Sequence, residues 1–275
     1  MDRYCVMGNP IEHSRSPWIQ SRFAALMGHS LQYDKRLVPL DGFAQSVAAF
    51  RAEGGLGCNI TVPFKFEAAA LANHLSPRAE LAGASNFLHF QGGSIHADNT
   101  DGAGLVNDIQ NNAGVALAGR DVLLIGAGGA SAGVLGPLIA AQARRITVAN
   151  RTLGKAEALV ARHVALAQAH GVQVDSAELA AVQSPYHVVV NATASSLSGA
   201  GVPVASSVLQ TGALALDMMY GPAAAGFMDW ARAHGAIARD GLGMLVEQAA
   251  EGFLLWRGVR PPSAQVLAEL RATLG

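Results

Sequence analysis

Residues 121–155 read DVLLIGAGGASAGVLGPLIAAQARRITVANRTLGK, and this stretch decides the fold. A short apolar run at 121–125 leads into a glycine-rich turn at 126–131, and a helical stretch separates this turn from a second apolar run at 146–149. Strand, glycine turn, helix and strand in that order are typical of the phosphate-binding unit of a dinucleotide-binding fold. The first glycine permits a tight turn, and the second lets the backbone approach a pyrophosphate at the N-terminus of the helix.

The residues after the second apolar run distinguish between the two nicotinamide dinucleotides. An acidic side chain there would accept a hydrogen bond from a ribose 2′-hydroxyl and favour NAD, but this chain has Asn150 and Arg151, with Lys155 close behind. Because cationic side chains suit a 2′-phosphate, we predict NADP as the cofactor. The predicted contacts within the glycine turn are Gly126, Ala127, Gly128, Gly129, Ala130 and Ser131.

The composition bounds the class of protein. The chain has 275 residues, 51% hydrophobic and 14% charged, which is enough for one large or two ordinary domains with a substantial core. With 19 basic and 20 acidic residues the net charge is −1, so nucleic acid is not expected as a partner. No apolar run is long enough to cross a bilayer, and we therefore expect no membrane partner.

Two cysteines, Cys5 and Cys58, are too few for a disulfide framework, and both lie in apolar, strand-like runs. We expect buried free thiols and a reducing cytoplasm. None of the nine histidines forms a ligand motif such as HExxH, so no metal is predicted.

Strand-like and helix-like runs alternate along the chain, which predicts an α/β fold with parallel strands. Predicted strands lie at 4–8, 31–37, 56–62, 187–190 and 213–217, a hairpin at 85–90 and 94–97, and helices at 17–27, 43–53, 101–113 and 244–256. Polar, turn-rich segments at 96–102 and 238–243 look like domain seams. We predict a substrate domain of residues 1–101 plus 239–275, to which the C-terminal helices return, and a doubly wound NADP domain of residues 102–238.

Several polar residues of the first half stand at unexpected places. Asn59 and Thr61 are two apart in a predicted strand and would share one face. Lys65 falls in the first turn of a helix, where the helix dipole disfavours a cation by roughly a few tenths of a kcal/mol. Such local conflicts are more expected at functional sites. Taken singly, each residue also has a structural explanation: Ser14, Ser16 and Asp101 as caps, and Asn59, Asn86 or Gln248 as ordinary polar residues.

Taken together, these residues belong to blocks with a known order. The blocks are GNPIEHSRSP at 8–17, NITVPFK at 59–65, AGASN at 82–86, DNTDG at 98–102, GAGGAS at 126–131, NRT at 150–152, NAT at 191–193 and DGLGMLVEQAA at 240–250. In sequence and order they resemble the signature blocks of the shikimate dehydrogenase family, over nearly the whole chain. The resemblance implies NADPH-dependent interconversion of 3-dehydroshikimate and shikimate, a step in aromatic amino acid biosynthesis.

The resemblance also implies a role for individual residues. Lys65 and Asp101 would form the catalytic acid–base pair, while Ser14, Ser16 and Tyr220 would contact the substrate carboxylate. Asn59, Thr61, Asn86 and Gln248 would bind ring hydroxyls. Met218 and Gly241 would lie beside the nicotinamide, and Asn150, Arg151, Thr152 and Lys155 would hold the 2′-phosphate. We expect the Lys65 and Asp101 side chains to come within contact distance, in a cleft where cofactor and substrate meet.

The chain departs from the family pattern at Ser85 and Phe87, at Ser196 and at Ala225, and these changes leave open whether the substrate is shikimate or quinate. One alternative is therefore a quinate/shikimate dehydrogenase with relaxed cofactor use. Another is a module that binds NADP(H) or a shikimate-like acid without turnover. The sequence is equally compatible with a monomer and a homodimer.

Overall fold

The computed structural model describes residues 1–193 and 201–274. Contacts divide them into two compact units. The first unit comprises Met1–Gly104 and Leu245–Gly275, and the second comprises Leu105–Met244. The divisions thus fall after residues 104 and 244, whereas the sequence places the seams after residues 101 and 238.

The first unit is built on a six-stranded sheet whose order is β2-β1-β3-β5-β6-β4. Its strands are β1 (Asp2–Gly8), β2 (Leu31–Leu37), β3 (Gly55–Ile60), β4 (His74–Leu75), β5 (Phe87–Gln91) and β6 (Ser94–Asp98). The predicted hairpin is present as β5 and β6, and it makes the sheet mixed, because β5 runs antiparallel to both β3 and β6. Parallel pairing in this sheet is confined to β1 with β2 and β3 and to β4 with β6.

Four helices of the first unit precede its hairpin, and further helices follow along the chain. They are α1 (Ser16–Met27), α2 (Phe43–Ala52), α3 (Lys65–Leu71) and α4 (Pro77–Ala82), followed by α5 (Asp101–Asn107). Helix α4 has a strong start signal, since the Ser76 side chain accepts a hydrogen bond from the backbone N–H of Ala79 and Pro77 follows the cap. Helix α1 differs from expectation: Ser16 is its first residue rather than its cap, because Arg15 occupies the cap position without a side-chain bond.

Two apolar clusters cover the faces of the first sheet. One contains Cys5, Met7, Phe50, Cys58 and Leu88 among its buried members, and both cysteines are free thiols. The other contains Tyr4, Val6, Ile11, Tyr33, Phe87 and Trp256. Because successive side chains of a strand point to opposite faces, neighbouring residues such as Phe87 and Leu88 belong to different clusters.

Trp256 fits into a gap that a glycine leaves in the sheet. A Cβ atom on Gly57 would lie 2.5 Å from the indole Nε1 of Trp256 and 2.5 Å from the carbonyl oxygen of Leu88, so no side chain fits at residue 57. The indole donates a hydrogen bond of 3.3 Å to the Leu88 carbonyl, and its ring lies 4.5 Å from that of Tyr4. Trp256 therefore anchors its helix, α9 (Leu242–Arg257), to the sheet of the first unit.

The second unit has a six-stranded sheet in which every adjacent pair is parallel. Its strands are β7 (Asp121–Ile125), β8 (Arg145–Asn150), β9 (Gln173–Glu178), β10 (Tyr186–Asn191), β11 (Leu209–Asp217) and β12 (Ile237–Arg239). The helices that follow α5 are α6 (Gly129–Ala140), α7 (Leu153–His170), α8 (Ala225–Ala233), α9 (Leu242–Arg257) and α10 (Ser263–Leu274), of which α10 and most of α9 belong to the first unit.

The strand order of the second sheet is β9-β8-β7-β10-β11-β12. Numbered within this unit it is 3-2-1-4-5-6, the order of a doubly wound dinucleotide-binding fold, as the sequence predicts. The order reverses between β7 and β10, and ligands of such sheets bind at the carboxyl ends of the strands beside that reversal. The predicted glycine turn, at 126–131, directly follows β7.

Strand β7, at the centre of the second sheet, is buried on both faces. Val122, Leu123, Leu124 and Ile125 of β7 have no exposed surface, which explains why β7 is a continuous apolar run rather than an alternating one.

The predicted helix at 101–113 changes its hydrogen bonding midway, since α5 ends at Asn107 and a π-helical turn covers Asp108–Asn112. Within the described ranges, no helix is long and apolar enough to cross a membrane.

Three histidines of the first sheet stand in one row. His89 of β5 is opposite His96 of β6, and His96 is in register with His74 of β4, whose ring centroid lies 4.6 Å away. Burial, together with the nearby His96, lowers the pKa of His89. A histidine in the unfolded chain has a pKa of about 6.5. As the pH falls through this value, His89 binds a proton more readily in the unfolded state than in the folded state.

We therefore expect the free energy of unfolding to fall as the pH is lowered from 7 to 5, and the fall to be smaller in His89→Gln. Urea denaturation across this pH range measures both. Gln91→Ala on the same strand provides the control, since Gln91 is exposed and carries no titratable group, so this variant should retain the full pH dependence. An unchanged pH dependence in His89→Gln would contradict this assignment.

Candidate active site

Lys65 and Asp101 are in direct contact within the first unit. The Lys65 Nζ lies 2.5 Å from the Asp101 Oδ2, and the two side chains are 13% and 7% exposed. Each residue is the first of its helix, α3 or α5. A carboxylate is favoured at a helix N-terminus and an ammonium is disfavoured there, so Asp101 compensates for the unfavourable position of Lys65. The expected contact is thus present.

Asn86 holds the other oxygen of the Asp101 carboxylate. Its Nδ2 donates to Asp101 Oδ1 at 2.8 Å, while its Oδ1 accepts from the backbone N–H of Thr100 at 2.8 Å. Both Asp101 oxygens therefore have a donor, one from Lys65 and one from Asn86. This double attachment leaves the carboxylate little freedom to rotate, because each oxygen would lose a charge-assisted hydrogen bond.

Thr100 and Gln248 extend the network around Asn86. The Asn86 Nδ2 also lies 2.9 Å from the Thr100 Oγ1 and 3.2 Å from the Gln248 Oε1, and the Thr100 hydroxyl is 3.3 Å from the same Gln248 oxygen. Gln248 in turn donates through its Nε2 to the carbonyl of Leu245 at 2.8 Å. The network thus brings together three predicted site residues, Asn86, Asp101 and Gln248, and adds Thr100, which the sequence analysis did not single out.

Asn59 is held by two partners. Its Oδ1 accepts a hydrogen bond of 2.6 Å from the Tyr33 hydroxyl, and its Nδ2 donates to the carbonyl of Asn86 at 3.2 Å. Burial raises the pKa of Tyr33, which keeps its hydroxyl protonated and able to donate. Only one Asn59 amide hydrogen is left for any other acceptor. Thr61 lies just after β3, which ends at Ile60.

The hydroxyls of Ser14 and Ser16 lie side by side at the start of α1. Their oxygen atoms are 3.3 Å apart, and the backbone N–H of Ser16 also points to the Ser14 Oγ, at 3.4 Å. Two adjacent hydroxyls and a nearby backbone donor are groups that can bind the two oxygens of a carboxylate. Both serines follow the turn after β1, in the same unit as Lys65.

The glycine turn of the second unit has the conformation that its sequence requires. Gly126 has a φ of 112°, which L-residues with a side chain rarely adopt. A Cβ atom on Gly128, the cap of α6, would meet no atom within 4 Å, so the space beside this helix N-terminus is open. Ser131, in the first turn of α6, is fully buried and its Oγ has no hydrogen-bond partner. These features fit a phosphate-bearing ligand.

The end of β8 is cationic and exposed. Asn150 ends the strand and donates through its Nδ2 to the carbonyl of Thr152 at 2.9 Å. The following residues Arg151, Thr152 and Lys155 are exposed. Asn150 therefore shapes the turn that presents the two cations, and no acidic residue occupies 150–155.

Met218 and Gly241 lie against each other in the second unit. A Cβ atom on Gly241 would be 2.2 Å from the carbonyl oxygen of Met218, so only glycine fits, and the Gly241 N–H donates to the Met219 carbonyl at 2.8 Å. Tyr220 is half-buried just after these methionines, at the start of a short 3₁₀ turn. Nearby, Asn191 and Asp217 link the ends of β10 and β11 through a 3.0 Å hydrogen bond.

Comparison with known proteins identifies the family. Three family models match the chain: the shikimate dehydrogenase substrate binding domain at residues 6–88, shikimate/quinate 5-dehydrogenase at 108–200, and the shikimate 5′-dehydrogenase C-terminal domain at 241–271. The shikimate dehydrogenase (NADP(+)) of Acidovorax sp. (strain JS42) is 67% identical, over 99% of this chain and 97% of that protein. The chain belongs to the shikimate dehydrogenase family.

Further known proteins and solved structures are similar to the chain over nearly its full length. The shikimate dehydrogenase (NADP(+)) of Cupriavidus necator is 52% identical, over 99% of this chain and 94% of that protein. Among solved structures, an enzyme from Pseudomonas putida has a TM-score of 0.88 at 43% identity, with 98% of each chain covered. Shikimate 5-dehydrogenase of Thermus thermophilus, solved with NADP(H) and shikimate, has a TM-score of 0.85 at 29% identity, with 100% of each chain covered.

The departures from the shikimate dehydrogenase pattern have structural explanations at two positions. Phe87 packs its ring 4.7 Å from that of Trp256, inside the core of the first unit. The Ser85 Oγ is fully buried and lies 2.8 Å from the carbonyl oxygens of both Phe87 and Asp98, either of which can accept its one hydrogen. Ala225 begins α8. Ser196 lies outside the described residues.

The sequence analysis missed two residues of this site, Tyr33 and Thr100. Tyr33 lies on β2 and Asn59 on β3, separated by β1, so only the folded sheet shows that they meet. Thr100 could have been found, because it stands inside the DNTDG block between two residues of interest.

Within residues 1–193 and 201–274, no group of three or more His, Cys, Asp or Glu side chains could hold a metal ion.

Proposed function

We propose that this protein is an NADP-dependent shikimate dehydrogenase, which reversibly reduces 3-dehydroshikimate to shikimate. The observation that carries the proposal is the contact between Lys65 and Asp101, in a chain 67% identical to a shikimate dehydrogenase (NADP(+)) over nearly its full length. It is an enzyme of the shikimate pathway, which leads to aromatic amino acids. Its substrate is a small molecule, and its cofactor is NADP.

The residues of the second unit fit NADP. Open space beside the cap of α6 and the orphaned Ser131 hydroxyl suit the pyrophosphate, whose contacts we assign to Gly126, Ala127, Gly128, Gly129, Ala130 and Ser131. The exposed cations after β8 suit the 2′-phosphate, which we assign to Asn150, Arg151, Thr152 and Lys155. We assign Met218 and Gly241 to the nicotinamide. When bound, NADPH supplies the hydride that reduces the substrate ketone.

Lys65 handles the proton in this proposal. In the direction of reduction, the Lys65 ammonium donates a proton to the ketone oxygen as that oxygen gains negative charge. In the direction of oxidation, neutral Lys65 accepts the proton of the secondary alcohol. Asp101, 2.5 Å from the Lys65 Nζ, orients the amine and balances its charge. Asn86 maintains this alignment through its bond to the second Asp101 oxygen.

The remaining polar residues bind the substrate. We propose that the adjacent hydroxyls of Ser14 and Ser16, with Tyr220, contact the carboxylate. Asn59, Thr61, Asn86 and Gln248 are assigned to the ring hydroxyls, which need neutral donors and acceptors. Asn59 already bonds to Tyr33, and Asn86 already bonds to Asp101. Each would therefore bind the substrate through its remaining donor or acceptor positions.

Two free buried cysteines and a net charge of −1 support a reducing cytoplasm, with neither nucleic acid nor membrane as partner. The mass measured by sedimentation distinguishes a monomer from a homodimer.

Steady-state kinetics with four combinations of substrate and cofactor test the proposed function. Shikimate and quinate are each assayed with NADP and with NAD, and kcat/KM is determined for every pair. We expect the highest kcat/KM for shikimate with NADP. A preference for quinate or for NAD would favour a quinate/shikimate dehydrogenase, and binding without hydride transfer would identify a non-catalytic module.

Lys65→Ala tests the acid–base role. We expect kcat to fall by roughly 10²- to 10⁴-fold, the usual contribution of a positioned proton donor, while the Kd for NADP is little changed. Stopped-flow or steady-state rates with shikimate measure the loss, and calorimetry measures the Kd. Lys35→Ala is the matched control, because Lys35 is on β2 and contacts the carbonyl of Glu12. Parental kcat in Lys65→Ala would remove Lys65 from the mechanism.

Arg151→Ala tests the choice of cofactor. We expect the binding of NADP to weaken by about 1.5–3 kcal/mol, the range for a hydrogen bond to a charged group, and the binding of NAD to change little. The two Kd values are measured by titration calorimetry. Arg232→Ala, which removes another exposed arginine of the second unit, should leave both unchanged. An equal loss for both cofactors would show that Arg151 does not recognise the 2′-phosphate.

A further inference from the structure

Asp98, the last residue of β6, is held by an unusually complete set of donors. The Arg78 guanidinium binds its carboxylate in a bidentate manner. The Nε donates to Oδ1 at 2.6 Å and the Nη2 donates to Oδ2 at 2.9 Å. The Ser76 hydroxyl and the backbone N–H of Asn99 also donate to Oδ1, at 2.5 Å and 2.7 Å. With 13% of its side chain exposed, Asp98 is fixed from several directions.

The third nitrogen of the Arg78 guanidinium reaches a different segment. Its Nη1 donates to the Glu251 Oε1 at 3.1 Å, and Glu251 lies on α9 three residues after Gln248. Arg260 donates to the other Glu251 oxygen at 2.9 Å. A single arginine therefore joins the end of β6 to α9, in a geometry that only the planar guanidinium can provide, since a lysine has no fork.

Both segments joined by Arg78 carry residues of the Asn86 network. Asp98 begins the four-residue segment that ends at Asp101, and α9 carries Gln248. The two segments meet again at Asn86, whose Nδ2 faces both the Asp101 Oδ1 and the Gln248 Oε1. A shift of either segment would change the position of the Asp101 carboxylate relative to Lys65.

We propose that Arg78 is a positioning residue of the reaction, which holds Asp98 and Glu251 so that Asp101 and Gln248 face Asn86 correctly. This inference rests on the proposed function. An alternative is that Arg78 affects only the free energy of unfolding. Many partly exposed ion pairs contribute little even to that. The two roles differ in whether substitution alters turnover of the substrate.

The chain offers a matched control at the opposite edge of the same sheet. Arg36 lies on β2, and its side chain is 27% exposed, against 31% for Arg78. It also grips a carboxylate with two nitrogens, that of Glu53, with Nη1 to Oε1 at 2.9 Å. Neither Arg36 nor Glu53 contacts a proposed site residue through a hydrogen bond that the described structure contains.

The experiment compares Arg78→Gln, Arg78→Lys and Asp98→Asn with Arg36→Gln. Steady-state kinetics with shikimate and NADP, and the Tm, are measured for each folded variant and for the parent. We expect Arg78→Gln to lower kcat/KM for shikimate by roughly 10- to 100-fold, the scale of a small misplacement of catalytic groups, without changing the KM for NADP. Arg78→Lys should recover little of the loss, and Arg36→Gln should keep parental kinetics even if its Tm falls.

Each outcome bears on the inference. Parental kinetics in Arg78→Gln, or a loss no greater than that of Arg36→Gln, would overturn it. If Arg78→Gln does not fold, Arg78→Lys and Asp98→Asn carry the same test, and parental kinetics in both would overturn it. An inactive parent would instead overturn the proposed function, and the inference with it, so the two failures are distinguishable.

Discussion

The first unit depends on a constraint at one carboxylate. Asp101 accepts from Lys65 at one oxygen and from Asn86 at the other, and its side chain is buried. A buried carboxylate is costly unless both oxygens have donors, and a buried ammonium needs a counter-charge. These two requirements are met together here, because α3 and α5 begin at the two partners. The surrounding amides and hydroxyls are arranged to complete this pairing.

The hydrogen bonds around Asp101 have a consistent direction. Asn86 donates to Asp101 and to Thr100, the Thr100 hydroxyl can donate to Gln248, and Gln248 donates to the backbone of α9. Such a chain fixes the orientation of each amide, since a flipped amide would place two donors or two acceptors face to face. Buried polar networks of this kind specify one arrangement when every member is satisfied. The network therefore holds the Asp101 carboxylate, which contacts Lys65, in one orientation.

The sequence predicted the second unit better than the first for a physical reason. Parallel strands buried on both faces, such as β7, are continuous apolar runs, and the glycine turn after β7 has a strict backbone requirement at Gly126. Both signals are local. The hairpin of the first unit was also predicted, from the turn between Gln91 and Ser94, but its antiparallel pairing with β3 is a long-range property that no local pattern reports.

The candidate site shows the same division. The blocks around Lys65 and Asp101 predicted a contact that the structure contains, because each block is a recognisable local motif. The bond from Tyr33 to Asn59 and the bridge from Arg78 to Glu251 join residues 26 and 173 positions apart, with nothing in either local sequence to indicate the partner. Sequence reasoning thus found the contact between Lys65 and Asp101, but neither the bond from Tyr33 nor the bridge from Arg78.

The indole of Trp256 in the gap at Gly57 has a consequence for the order in which the chain folds during its synthesis. The first unit needs the segment after residue 244, which is synthesised after the whole of the contiguous second unit. Until α9 emerges, the sheet face that bears Tyr4, Tyr33 and Phe87 has no cover from Trp256. During synthesis this apolar face would therefore be exposed in the interval before α9 is made, and chaperones that shield apolar surface would bind there.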